Sequence, residues 1–335
     1  MSTIIERHGF HFIPTSRVTE HGAEPALSLV VKMKGRSSVE FPRLSVWEYS
    51  EDEYVDFINQ RGIEDATVIL DDFSFLKRCP GLKMLTLFPS YEAPKGISYE
   101  PVYQMPNLRM IEPNTVYGYA DRKWTELDCA KLASAGRLEV FQANCRKGVK
   151  GLGALRNLRS LSVSNFPESD LSQAIGSASL DSLSVLKGKL KSLKGLEHTQ
   201  KLKALRLSDC YQLENIDTLY DAHRTLTGLV IDNCKRIQDY SVLASLSSLT
   251  RLSLIGTGSI PSLSFLPQLP NLRTLTLGVN VEDGDLSYCD GLQHVSFYPN
   301  RRHYNRKDED FPKMKRPEMI LGDERIEPWR QTILR

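Results

Sequence analysis

The residues best suited to acid–base or metal chemistry, the histidines, are scattered through this sequence. Seven occur among 335 residues, at positions 8, 11, 21, 198, 223, 294 and 303. Only His8 and His11 are close enough to suggest a pair of ligands, and two imidazoles without a third ligand make a poor metal site. We therefore predict that the histidines are surface or packing residues, and that the protein needs no metal or other cofactor.

Short catalytic motifs are also missing. The sequence has no GxSxG elbow, no GxxxxGK[ST] phosphate loop, no HExxH and no dinucleotide-binding glycine fingerprint. Gly151–Gly153 lacks the third glycine of such a fingerprint and is interpreted as a turn. An enzyme would require an unrecognised site in the first 70 residues, which offer no acid and base at a readable spacing. The prediction is that the protein is not an enzyme.

The composition is that of an ordinary globular protein, with 41% hydrophobic and 25% charged residues. Lys and Arg total 43 against 41 Asp and Glu, a net charge of +2 that argues against a nucleic-acid partner. The N-terminus has no long apolar stretch after a basic start, and no segment is apolar enough to span a bilayer. The six cysteines form no CxxC pair. We expect a cytoplasmic protein with free thiols and no membrane contact.

Internal periodicity is the strongest pattern in the chain. The motif LxxLxL, with conservative replacements, recurs at intervals of 20 to 30 residues. Its first leucines are Leu82, Leu108, Leu138, Leu158, Leu180, Leu202, Leu226, Leu249, Leu272 and Leu292. One such motif is a common coincidence, but ten in near-register predict a repeat protein.

The register continues beyond each motif. Residues able to hydrogen-bond backbone groups stand eight positions after the first leucine: Cys210, Cys234, Thr257, Asn280 and Asn300. With these residues and the stretch SLSFLPQLPNLRTLTL, the sequence resembles the leucine-rich-repeat family, with the short repeats of bacterial internalin-like members. The resemblance implies an α/β solenoid, with a curved parallel sheet on the concave face and turns and short helices on the convex face.

A single repeat cannot bury its own apolar side, so repeats must stack and both ends of the stack need caps. We predict an N-terminal cap region over 1–75, a solenoid of about ten repeats over 76–300, and a C-terminal cap or tail over 301–335. In the first region, Ser50 and Glu53 form a capping box for a helix that ends near Gly62. Strands are expected at 26–31, 44–49 and 66–70. A second helix is expected between 125 and 136.

Two interpretations of the C-terminal region remain open. Residues 301–335 contain ten basic and seven acidic residues, a net of +3. As a cap, the region would cover the last repeat with Met319, Ile320, Leu321 and Trp329, and this is the favoured interpretation because a solenoid end must be covered. As a functional element, it would be a basic arm for a partner.

Cys210 and Cys234 occupy equivalent positions in successive repeats. They are therefore expected to stack at about the 4.8 Å spacing of neighbouring strands. A redox switch is one interpretation of such a pair. The favoured one is a pair of buried packing thiols, because the family uses Cys at this position and a buried thiol without a cationic neighbour is unreactive.

The surface most suited to binding is the concave sheet, where the third, fifth and seventh positions of each repeat point away from the core. The fifth positions are mostly small hydroxyl residues, and larger side chains such as Met110, Val140, Leu186 and Ile255 flank them. Because aromatic and arginine anchors usually dominate interface energies, the predicted partner-binding residues are Phe88, Glu112, Gln142, Arg206, Asp232, Arg251 and Tyr298. A solvated scaffold role is an equal alternative for them.

A row of lysines follows the Leu180 repeat, at Lys187, Lys189, Lys191 and Lys194. It is interpreted as solubilising charge, with an acidic protein as the alternative partner.

The function predicted from the sequence is recognition of a protein by the concave face or a rim. Within that class, a bacterial immunity protein that neutralises a toxin, an effector delivered into host cells and a regulatory scaffold all fit. A repeat scaffold hosts many functions, so the sequence does not separate these roles.

Overall fold

The computed structural model describes residues 4–18, 25–33, 49–88, 97–113, 126–134, 137–145 and 148–314. Contacts within the chain divide it into two units, with the boundary between Leu158 and Arg159. Both units are built on a sheet whose strands follow one another in chain order.

The sheet of the first unit has the strand order β1-β2-β3-β4-β5-β6-β8. Its strands are β1 (Ile5–Arg7), β2 (Phe10–Val18), β3 (Pro25–Val31), β4 (Asp65–Val68), β5 (Met84–Leu87), β6 (Met110–Pro113) and β8 (Val140–Asn144). The strands β7 (Leu127–Asp128) and β9 (Val149–Lys150) form a separate parallel pair. The β1–β2 and β2–β3 pairs are antiparallel, whereas β3 to β8 pair in parallel, as stacked repeats require.

The predicted capping box is confirmed. Helix α1 (Glu51–Arg61) begins at Ser50, whose side chain accepts a hydrogen bond from the Glu53 amide while the Glu53 carboxylate accepts one from the Ser50 amide. It ends at Gly62 in the left-handed conformation, with φ of 61°. Its buried residues are Tyr54, Val55, Phe57 and Ile58. The capped helix therefore packs its apolar side into the first unit.

The other predicted elements of this region are confirmed where they are described. The strands expected at 26–31 and 66–70 are β3 and β4, and the strand expected at 44–49 lies outside the described residues except for Tyr49. The helix expected between 125 and 136 is the shorter α3 (Cys129–Ser134), and a further short helix is α2 (Glu100–Tyr103).

The sheet of the second unit is parallel throughout, with the order β10-β11-β12-β13-β14-β16-β18. Its strands are β10 (Ser160–Ser164), β11 (Ser182–Leu186), β12 (Ala204–Ser208), β13 (Gly228–Asp232), β14 (Arg251–Ile255), β16 (Thr274–Leu277) and β18 (His294–Phe297). The short strands β15 (Ser259–Ile260) and β17 (Asn280–Val281) pair beside it.

The repeat leucines form ladders across this sheet. Leu183, Leu205, Leu229, Leu252 and Leu275 are paired in register from strand to strand, and none is more than 1% exposed. Every strand from β10 to β18 in this sheet begins two residues after the first leucine of a predicted motif. The motif therefore fixes both the strand and the side of the sheet that is buried.

Short 3-10 helices connect the strands on the other side of each repeat. In the second unit they are Leu196–His198, Asp217–Ala222, Ser241–Ser245, Leu266–Gln268 and Ser287–Cys289, followed by Asp308–Asp310; the first unit has Ser74–Arg78 and Leu152–Ala154. Several of the segments that lead into them carry an Asp-x-Ser turn, in which an aspartate accepts a hydrogen bond from the amide of the serine. Asp239 does so from Ser241, and Asp285 from Ser287. These turns satisfy amides that the short helices leave unpaired.

The chain beyond β18 covers the end of the second unit. The Phe297 ring makes edge contacts with Tyr304 and Phe311, at centroid distances of 5.8 and 6.0 Å. The Val295 amide donates to the Pro312 carbonyl. The capping residues predicted at 319–321 and 329 lie outside the described residues, and Tyr304 and Phe311 are capping contacts that the leucine pattern did not reveal.

Candidate functional site

The candidate site is the face of each sheet that points away from the leucine core, called here the noncore face. It is formed by the third, fifth and seventh positions of the repeats, called row 3, row 5 and row 7. In the second unit, row 3 runs from Ser160 to His294 and row 5 from Ser162 to Ser296. Row 7 follows the strand ends from Ser164 to Tyr298.

On the noncore face of the first unit, two residues expected to point outward are buried. Met110 and Val140, both in row 3, form a core cluster with Met84, and all three are 0% exposed. The expectation that they face solvent is wrong, because a column of apolar side chains on adjacent strands packs together rather than standing in water. Strand alternation gives the side of the sheet and does not give exposure.

The other predicted residues of this unit are also engaged. Phe88 is half-buried and packs against the buried pair Val30 and Ile69, together with Ile4 and Ile13. Glu112 accepts a hydrogen bond of 3.0 Å from the Gln142 amide. The structure brings Glu112 and Gln142 together in row 5 of adjacent strands, and it ties Phe88 to the N-terminal strands.

In the second unit, Arg206 and Asp232 form an ion pair across β12 and β13. Arg206 Nη2 lies 3.8 Å from Asp232 Oδ2, and Arg206 Nε donates to Ser208 Oγ at 2.9 Å. Burial raises the pKa of Asp232, and the guanidinium of Arg206 opposes that rise. The pair is a fixed polar feature of the noncore face, with both side chains between a quarter and a third exposed.

The centre of this face is more buried than its small side chains suggest. Val230 and Ser253 in row 5 are 2% and 0% exposed, and Thr274 in row 3 is 5% exposed. Arg251, beside them in row 3, is half-buried and has interaction partners. Rows 3 and 5 are thus mostly shielded from solvent.

Row 7 is different, because it presents apolar side chains to solvent. Leu186 and Ile255 are each 38% exposed, and Tyr298 is 84% exposed. These three are among five large hydrophobic residues of the described chain that are exposed; Tyr211 and Tyr220 are the others. Tyr298 is one of the partner-binding residues predicted from the sequence, whereas Leu186 and Ile255 are predicted only as flanking residues.

The predicted lysine row is exposed at all four positions, Lys187, Lys189, Lys191 and Lys194. Lys187 directly follows Leu186 and has a left-handed backbone, with φ of 57°. Asn165, Asp209 and Asn233 adopt the same conformation in the equivalent position of other repeats. The repeated bend directs the chain away from the sheet immediately after row 7.

The two stacked cysteines are buried, Cys210 at 0% and Cys234 at 5% exposure. The Cys210 thiol donates to the Val185 and Ser208 carbonyls, at 3.8 and 3.6 Å, and Cys234 makes the equivalent contacts one repeat later. The neighbouring thiol and burial raise the pKa of Cys234. These features fit the interpretation of packing thiols, as predicted from the repeat.

His11 is buried, which lowers its pKa, and the Glu6 carboxylate lies 3.9 Å from its Nε2 atom. In the described part of the chain, no three His, Cys, Asp or Glu side chains are grouped as metal ligands would be. Nor does any helix within that part combine the length and apolar character needed to cross a bilayer.

Parallel strands at every LxxLxL motif, leucine ladders and short convex helices together define a leucine-rich-repeat solenoid. The chain therefore has the leucine-rich-repeat fold. No family model matches it. It is 29% identical over 212 residues to the disease resistance protein RPS4B of Arabidopsis thaliana, a match that covers 54% of this chain but only 17% of that protein.

Similarity to a solved structure supports the fold. An internalin (inlF) of Listeria monocytogenes is similar with a TM-score of 0.50 and 17% identity, over 73% of this chain and 71% of the internalin. A leucine-rich-repeat protein of Leptospira interrogans matches 73% of this chain and 81% of its own, at 17% identity, with a TM-score of 0.33. At these identities the similarity to the internalin concerns the fold alone.

Proposed function

We propose that the protein is a recognition module without catalytic activity, and that it binds a protein partner through row 7 of the second unit. The observation that carries this proposal is the alignment of Leu186, Ile255 and Tyr298, all exposed, along one edge of the noncore face. Exposed apolar side chains that share one row of a sheet face support an interaction site along that row.

The dimensions of this row suit a protein surface. Leu186 and Ile255 stand three strands apart, and Tyr298 follows two strands later, so the row spans roughly 24 Å at about 4.8 Å per strand. Asp232 lies between Leu186 and Ile255 in the same row and adds a polar contact that Arg206 already orients. A mixed apolar and polar row with a tyrosine resembles the centre of ordinary protein interfaces.

The chemistry of the row favours protein over nucleic acid. The chain carries a net charge of only +2, and row 7 itself offers aliphatic side chains where phosphate contacts would require Lys or Arg. Lys187, next to Leu186, gives an acidic partner one favourable contact. The sequence-predicted residues Arg206 and Arg251 belong to the same face, and Phe88, Glu112 and Gln142 in the first unit stay predictions.

Three roles fit such a module: neutralising a toxin as an immunity protein, acting as an effector in a host cell, or serving as a regulatory scaffold. Each role requires a different partner. Identifying the partner therefore distinguishes the roles. A secreted toxin would indicate an immunity protein, a host protein an effector, and an enzyme of the same cell a regulatory scaffold.

The test compares two exposed tyrosines. Partners are captured from lysate of the source organism on the wild-type chain, identified, purified and titrated against Tyr298→Ala and Leu186→Ser. Tyr220→Ala is the matched control, because Tyr220 is 60% exposed on the convex helix Asp217–Ala222. We expect Tyr298→Ala to weaken binding at least tenfold, the usual loss at an anchor residue, and the control to bind as wild type. Equal affinities for the two tyrosine variants would refute the assignment to row 7.

A further inference from the structure

The column of buried thiols in the second unit is interrupted at the repeat that begins with Leu249. Cys210 and Cys234 occupy the ninth position of two successive repeats and are 0% and 5% exposed. The ninth position of the next repeat holds Thr257, which is exposed, and Gly258 follows it without a side chain. The column of buried side chains therefore stops after Cys234.

A depression that is open to solvent lies at this interruption and is called here the edge depression. Cys234 and Gly258 line it, together with the aliphatic residues Ile231, Leu254 and Val279. Its volume is about 240 Å³ when counted out to the open solvent, below the ~300–1,000 Å³ of ordinary small-molecule sites. The enclosed part has room for about one water molecule or methyl group. The edge depression is therefore suited to the tip of one side chain and is too small for an aromatic ring.

The polar groups around the edge depression favour an apolar occupant over water. The Cys234 thiol already donates to two backbone carbonyls, and the Asn233 side chain donates to the Asp209 carboxylate at 2.8 Å. Of the described polar side chains that line the depression, this leaves the Lys235 amine and the Tyr240 hydroxyl. A buried water typically makes about three hydrogen bonds, more than these two groups offer.

The mouth of the edge depression adjoins row 7. Ile255 belongs to row 7, is 38% exposed and also lines the depression. Lys235 is exposed at the same place, and its amine forms no ion pair within the described part of the chain. Asp209 lies within electrostatic range of Lys235, but its carboxylate accepts hydrogen bonds from Tyr211 and Asn233. A cation beside an apolar depression complements a partner group that combines an aliphatic tip with a carboxylate.

We infer that a protein partner of row 7 inserts one branched aliphatic side chain into the edge depression and places a carboxylate against Lys235. The inserted tip continues, from outside, the column that Cys210 and Cys234 form within the chain. Side chains that fill such pockets supply much of the binding energy of an interface. The inference rests on the proposed function and deepens it, since it states which chemical groups the partner presents beside Ile255.

A small carboxylic acid tests the edge depression without any partner. Isovalerate joins a branched aliphatic tip to a carboxylate, and isopentanol has the same tip without the charge. Each is titrated into the full-length chain with isotopically labelled methyl groups, and the NMR signals of Leu254 and Val279 are followed. Gly258→Val narrows the depression, because a Cβ atom at Gly258 would meet no atom within 4 Å. Gly81→Val is the matched control, since its Cβ position is equally free and lies in the first unit.

We expect isovalerate to shift both signals along a saturable curve, with a dissociation constant in the millimolar range typical of so small a ligand. Gly258→Val should weaken binding at least fivefold, and Gly81→Val should leave it unchanged. Lys235→Gln should weaken isovalerate roughly two- to fivefold, as expected for an exposed ion pair, and leave isopentanol unchanged. The absence of saturation in the wild type, or equal dissociation constants for Gly258→Val and the wild type, would overturn the inference.

A second variant and a partner measurement complete the test. Ile255→Ser removes an exposed wall of the depression and should weaken isovalerate several-fold, which covers the case that Gly258→Val does not fold. Once a partner of row 7 is purified, Gly258→Val should weaken its binding at least fivefold. A partner that depends on Tyr298 but binds Gly258→Val as tightly as the wild type would overturn the inference and leave the proposed function intact. The isovalerate titration uses no partner, so a failure of the proposed function at Tyr298 does not alter its result.

Discussion

Gly195 offers the sharpest test of how the repeats stack in the second unit. It begins the helix Leu196–His198 and has a φ of 102°, a conformation that side chains other than glycine rarely adopt. A Cβ atom added there would lie 2.5 Å from Leu171 C and from Ser172 N. Both are backbone atoms of the preceding repeat, so neither can move aside by changing rotamer.

The cost of Gly195→Ala follows from these two terms. A left-handed type of backbone costs a non-glycine residue about 1–2 kcal/mol, and overpacking against fixed neighbours costs about 1–3 kcal/mol more. The sum, about 2–5 kcal/mol, is a large part of the 5–15 kcal/mol that ordinarily stabilises a domain. Gly258→Ala is the control, because no atom lies within 4 Å of its Cβ position and its φ is not left-handed. It should change stability by no more than about 0.5 kcal/mol.

Urea unfolding followed by far-ultraviolet circular dichroism measures both variants. The expected result is a clearly lower midpoint for Gly195→Ala and an unchanged one for Gly258→Ala, with similar slopes. If Gly195→Ala lost less than about 1 kcal/mol, the repeats would have to separate at little cost, and the argument that backbone contact sets their spacing would fail.

Three further predictions concern the core, the thiols and the turns. Leu205→Ala should lower the free energy of unfolding in urea by about 2–5 kcal/mol because the side chain is fully buried. Leu186→Ala should lower it by less than ~1 kcal/mol because that leucine is 38% exposed. Equal losses would contradict the assignment of the two leucines to opposite sides of the sheet. A thiol reagent at pH 8 should label less than one cysteine per native chain and all six after denaturation. The reason is that every cysteine is buried and that burial raises the pKa of Cys289 to about 12. Fast labelling of two or more cysteines in the native chain would contradict this prediction. The amide and hydroxyl of Ser241 lower the pKa of Asp239 in the folded state, so its contribution is complete above the unfolded pKa of about 3.9 and is lost as pH falls through the lower folded value. Asp239→Asn, which keeps the acceptor without the charge, should therefore show a smaller loss of urea stability than wild type between pH 6 and pH 3, and an identical loss would remove the carboxylate from the explanation.

The strands could be predicted from the sequence because one local motif encodes each of them. An LxxLxL motif places two leucines on one side of a strand and a third leucine just before it, and only stacking against the next copy buries them. The helix at Ser50 was equally predictable, since its capping box and the Gly62 end are local signals. The Asp-x-Ser turns at Asp239 and Asp285 are local signals of the same kind, and they lie between the leucine motifs, outside the pattern that predicts the strands.

Exposure on the noncore face could not be predicted by the same logic. Alternation places Met110, Val140 and Ser253 on that face, and all three are buried. Burial on this face depends on how the side chains of adjacent strands pack against one another, and strand alternation does not report that packing. The Arg206–Asp232 ion pair is predictable in part. Aligning the repeats gives the strand register, and that register makes the two side chains diagonal neighbours on adjacent strands.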